Sequence, residues 1–106
     1  MTLTTPEMIR EWFNRGIELG ATHLIVACDT FDYEDYPVYV KLVPKQEPES
    51  PEDSHEQVRL VHDVRKLVSE DFSNGTNMQK AMEVYKLSDP MEEQIAVAYP
   101  DRNFRY

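Results

Sequence analysis

Four carboxylates and three aromatic rings fall within the short run Asp29-Thr30-Phe31-Asp32-Tyr33-Glu34-Asp35-Tyr36-Pro37. Carboxylates this close can hold a divalent cation through hard oxygen ligands, or share acid–base work when burial drives their pKa values apart. The run lacks the alternating acids, the glycine and the distal glutamate of a calcium loop, and acid–base use needs a cleft that spacing alone does not create. Tyrosine and phenylalanine beside acids suit a third chemistry, contact with a cationic and partly apolar protein surface. The binding expectation therefore rests on Asp29, Phe31, Asp32, Tyr33, Glu34, Asp35 and Tyr36, with a basic protein surface as partner and no metal or catalytic residue assigned. The competing arrangement packs Phe31 and Tyr36 beneath the loop and leaves the acids in water.

Other chemistries find no pattern. His23, His55 and His62 have neither the i, i+4 pairing nor the neighbouring cysteine of a zinc site. Cys28 lies in an apolar run without a nucleophile signature and reads as a buried core thiol. Gly16, Gly20 and Gly75 cannot build either nucleotide-binding fingerprint, so no cofactor is expected. Met8, Met78, Met82 and Met91 read as core filler. Nothing in the chain declares an enzyme.

Composition narrows the class further. The 106 residues include 20 Asp and Glu against 11 Lys and Arg, a formal charge of −9 that favours solubility and repels phosphate backbones. Direct nucleic-acid binding is thus disfavoured. Between Asp29 and Glu56 stand nine acids and two lysines, so most of the negative charge is local. One cysteine cannot form an internal disulfide, which fits a reducing compartment. The N-terminal residues lack a basic segment leading into an apolar one, and the longest apolar run, Leu24 to Cys28, is far too short for a membrane span. The expected location is the cytoplasm.

The elements that must position the acidic run can also be read. Thr5 caps a helix with Pro6 at its first position, and Met8, Ile9, Trp12, Phe13 and Ile17 form its apolar stripe. Gly20 ends it in a left-handed turn. Thr22 to Cys28, apolar on both faces, is the centre of a sheet. Pro37 to Val43 alternates, with Val38, Val40 and Leu42 on one face, as a half-exposed strand reached by an antiparallel hairpin. Residues 44–54, rich in Pro and Glu, form a mobile loop.

Two readings stand for the next segment. Ser54 with Gln57, or Asp53 with Glu56, caps a helix to about Asp71; alternatively Gln57 to Val61 is a third strand and the helix starts near Asp63. Ser73-Asn74-Gly75 is a turn, and Asn77 caps a helix with Met78, Ala81, Met82 and Tyr85 on one face. Asp89 caps a last helix with Pro90 first and Glu92 reaching back, ending before Pro100. The sum is a single α+β domain over 1–106: a two- to three-stranded, mainly antiparallel sheet, covered by the N-terminal helix and followed by two or three C-terminal helices.

The stretch from Gly20 to Val40, GATHLIVACDTFDYEDYPVYV, resembles one found in a family of small uncharacterised acidic proteins from bacteria, phages and mobile elements. Asn77 to Tyr85 is similar to a second block of those proteins, and Pro44 to Asp53 looks like an insertion relative to shorter members. The resemblance implies a source, and it brings no activity and no site residues. With the charge, it leads to the expectation of an interaction protein that binds a host or defence protein, with inhibition as one outcome. Two alternatives are a metal-dependent enzyme using the acidic loop 29–36 and a small-molecule module with an apolar pocket near Trp12, His23 and Tyr39.

Overall fold

The computed structural model describes residues 4–51, 54, 56–73 and 78–101, with backbone alone at 99–101. It is an α+β fold in which a four-stranded mixed sheet lies between helices on both faces. Helix α1, Pro6–Glu18, starts where Thr5 stays extended and its hydroxyl accepts the Met8 N–H at 3.3 Å. That bond satisfies one of the donors every helix start leaves over. The helix buries Ile9 and Phe13, whereas Trp12 is half-buried and Ile17, expected in the stripe, is 51% exposed. At its end the Ala21 N–H bonds the Gly16 carbonyl while Gly20 takes φ +79, a conformation that glycine adopts without a Cβ clash.

Strand β1, His23–Asp29, runs between β2, Glu34–Leu42, and β4, Gln79–Lys86, antiparallel to both. Every residue from Leu24 to Cys28 is buried. Leu24 and Val26 face α1 together with Tyr85, Leu87, Ile95 and Ala98, and Ile25 and Ala27 face the opposite core with Val40, Val61, Leu67, Phe72 and Val84. This is the expected central strand. The sheet is larger than expected, because Val58–Val61 forms a third strand, β3, pairing parallel to β2, and a fourth follows. Of the two readings for 54–71, the strand is the one observed. Helix α2, Val64–Asp71, then starts at Asp63, whose carboxylate accepts the Arg65 and Lys66 N–H groups at 2.9 and 3.3 Å.

The segment expected to be a helix with Met78, Ala81, Met82 and Tyr85 on one face is strand β4 instead, and the reason is a bulge. Register with β1 shifts between Val26 and Ala27, so that Val26 opposes Glu83 and Ala27 opposes Ala81. The extra residue, Met82, shares the α1 face with Glu83 and Tyr85, while Ala81 and Val84 share the α2 face. A bulge thus turns the two-residue period of a strand into a three-residue spacing that imitates a helix. Glu83, opposite Val26 and two residues from Tyr85, lies fully buried on the α1 side. Asn77, the expected cap, and Asn74 and Gly75 of the expected turn lie outside the described residues.

Two helices follow the first three strands, α2 and α3, Met91–Asp101, giving three helices among the described residues. Pro100 lies within the last turn of α3, not beyond its end, and its missing N–H removes one i→i−4 bond there. Glu92 does not reach back to Asp89; it meets the Arg10 guanidinium at 2.8 Å and joins α3 to α1. The anchor of α3 is Gln94, nearly fully buried, whose amide accepts the Lys86 N–H at 2.8 Å and donates to the Lys86 carbonyl at 2.7 Å. Within the 44–54 stretch read as a loop, Ser50 bonds both backbone groups of Leu60 and the Glu49 carboxylate accepts the His62 N–H, so this segment is tied to β3.

Ile25→Ala should destabilise the protein by about 2–5 kcal/mol, the usual range for emptying a buried aliphatic site. Gln94→Ala should cost about 1–3 kcal/mol, because two buried backbone groups of Lys86 lose their partner. Chemical denaturation measures both; an Ile25→Ala variant as stable as the parent would be incompatible with a central strand buried on both faces.

Candidate functional site

The acidic run forms the tip of the β1–β2 hairpin. Asp29 ends β1 directly opposite Glu34, the first residue of β2, so Thr30 to Tyr33 form the connection. The Asp29 carboxylate folds back over it, accepting the Phe31 N–H at 2.8 Å and the Asp32 N–H at 3.4 Å, and the Asp29 carbonyl accepts the Tyr33 N–H. Such aspartate-closed turns are favoured because the side chain replaces a backbone acceptor. Tyr33 sits at φ 57, the left-handed region that non-glycine residues enter at a cost.

Around this turn the candidate residues separate into two groups. Phe31 and Tyr33 are 72% and 61% exposed, with Asp32 and Glu34 exposed beside them. Phe31 therefore does not pack beneath the loop. Tyr36, half-buried, does serve the core: it packs against the α2-side cluster, its hydroxyl donates to Gln79 Oε1 at 2.5 Å, and Gln79 Nε2 donates to the Asp71 carbonyl at 2.8 Å. Burial first, then the Asp29 charge, raises the Tyr36 pKa and keeps its proton in that bond. Asp35 is also half-buried and accepts the Thr4 hydroxyl at 2.5 Å. The hairpin base is thereby fastened to β4, to the end of α2 and to the residue before the α1 cap, while the tip projects.

One further residue belongs to this surface. The Met78 carbonyl accepts the Thr30 N–H at 2.9 Å, and the Met78 side chain, at φ 56, is 54% exposed. Read on a helix, Met78 was expected in the core; only the strand register of β4 brings it to the tip, and no local signal announces that. The result is an exposed group of one thioether and two aromatic rings among carboxylates.

The alternative chemistries receive less from the geometry. Two of the four carboxylates, Asp29 and Asp35, are engaged in hydrogen bonds within the fold, and among the described residues no three His, Cys, Asp or Glu side chains stand where they could share a metal ion. The apolar pocket expected near Trp12, His23 and Tyr39 does not assemble. Trp12 and Tyr39 pack with the α1-side core, and alternation along β1 places His23 on the α2 face. His55 lies outside the described residues, and Cys28 is buried as a core thiol. No helix among the described residues is long and apolar enough to cross a membrane. No protein-family model, no curated protein and no solved structure matches this chain.

Because Tyr33 holds a left-handed conformation with its ring in water, Tyr33→Gly should leave stability unchanged or raise it by up to about 1 kcal/mol, the relief of strain being offset by the freer unfolded chain. A drop of more than about 1 kcal/mol in urea denaturation would mean that the ring supports the fold.

Proposed function

We propose that this chain is a small interaction protein whose β1–β2 hairpin tip docks on a basic surface of another protein. The observation that carries the reading is the exposure of Phe31 and Tyr33, at 72% and 61%, on a hairpin whose base is held by hydrogen bonds from three other parts of the fold. Large rings kept in water lose free energy that contact with a partner returns, and an exposed apolar group is more informative when several such side chains share one turn than when one stands alone. Asp32 and Glu34 flank them, and the local excess of acids draws a cationic partner and rejects an anionic one. The fastened base reduces the ordering entropy that docking would otherwise cost.

The finer reading is that the partner is a host or defence protein met by a phage or mobile-element product, which the docking inhibits. Its support is the resemblance of residues 20–40 and 77–85 together with the acidic charge. Catalysis has no place in this reading, and the acids act through their field.

Affinity capture from a bacterial lysate at low salt tests the proposal with three proteins: the parent, a Phe31→Ala/Tyr33→Gly variant and an Asp32→Asn/Glu34→Gln variant. The aromatic variant should lose captured protein by an amount equivalent to about 2 kcal/mol or more, as for a central hot spot. The charge variant should show weaker capture with reduced salt sensitivity. Equal capture by all three, at parental folding stability, removes the hairpin tip as the docking site.

A further inference from the structure

At the hairpin tip rings and carboxylates alternate along the chain, in the order Phe31, Asp32, Tyr33, Glu34. All four side chains are exposed, so each ring has an acid as its chain neighbour and both kinds of group stand in water. The Met78 thioether, also exposed, is brought beside them by the bond from the Thr30 N–H to the Met78 carbonyl at 2.9 Å.

The other acids of the run are used by the fold. Asp29 accepts the Phe31 and Asp32 N–H groups, and Asp35 accepts the Thr4 hydroxyl. Among the described residues no ion pair reaches Asp32 or Glu34. Lys80, the cation that the sheet register places closest to the tip, stands opposite Cys28 on the far side of β1 from Asp35. Two strand spacings, about 10 Å, separate it from that row of β2, so it leaves the charge of Asp32 and Glu34 in place.

We propose that the group this tip takes is an arginine side chain in preference to a lysine, a choice that rests on the tip being the docking surface. Both cations answer the charge of Asp32 and Glu34, but only the guanidinium answers the rings as well. It is planar and weakly hydrated, and it stacks on an aromatic face while its N–H fork bonds a carboxylate. An ammonium is compact and strongly hydrated, so on an exposed surface it keeps its water and gains only a screened attraction.

Met78 gives the methylene stem of either cation an apolar neighbour, so the discrimination lies with Phe31 and Tyr33. At an exposed site one guanidinium–ring contact is worth about two- to fivefold in affinity. Two rings beside two carboxylates on one turn compound that factor, whereas on an acidic loop without rings the two cations would serve alike.

NMR titration of the intact chain at low salt tests the choice, with a short glycine–serine peptide bearing evenly spaced arginines and its counterpart with lysine at each of those positions. Both should shift the amide resonances of the tip saturably, and the arginine peptide should reach its midpoint at about fivefold or more lower concentration. The Phe31→Ala/Tyr33→Gly variant should bring the two midpoints within about twofold of each other while lysine binding stays near the parent's. Asp32→Asn/Glu34→Gln should weaken both peptides. Equal midpoints in the parent, or an arginine preference that survives loss of both rings, would overturn the assignment of arginine and leave the tip as a docking surface. Tip resonances that neither peptide shifts would overturn the assignment together with the docking reading.

Discussion

Five consecutive apolar residues, Leu24 to Cys28, set the constraint on which the rest of the molecule depends. A strand alternates its side chains, so a run with no polar position must be covered on both faces and paired on both edges. Both requirements are met: α1 and α3 cover one face, α2 the other, and β2 and β4 flank the strand. The connection from β3 to β4, two strands of the same direction, passes through α2 over the two strands between them. That crossover puts an apolar helix where Ile25 and Ala27 need it. The hairpin leaving β1 at Asp29 is therefore built on the most deeply buried strand of the fold.

Elements whose cause is local were legible in the sequence. Thr5, Pro6 and Gly20 delimit α1, the β1 run declares a central strand, and the alternation of Val38, Val40 and Leu42 declares β2. Elements whose identity depends on a partner were not. The four residues of β3 become a strand because β2 offers an edge, and the same apolar positions fit a helix equally well. In β4 the bulge at Met82 generates three-residue spacing, so a pattern argument returns a helix, and Glu83, polar by type, gives no sign of its burial opposite Val26.

The candidate site was legible in part for the same reason. The tip is contiguous in sequence, so its composition was visible, though exposure was not: Tyr36 and Asp35 serve the hairpin base, and Phe31 and Tyr33 face water.

Asp29 stands at the far end of β1 from His23, six residue steps or about 20 Å away. That separation exceeds the screening length of about 8 Å at physiological ionic strength, so the acids of the tip act as a charge centre of their own. A cationic surface approaching within that length feels those acids first, and the molecule turns tip-first toward it.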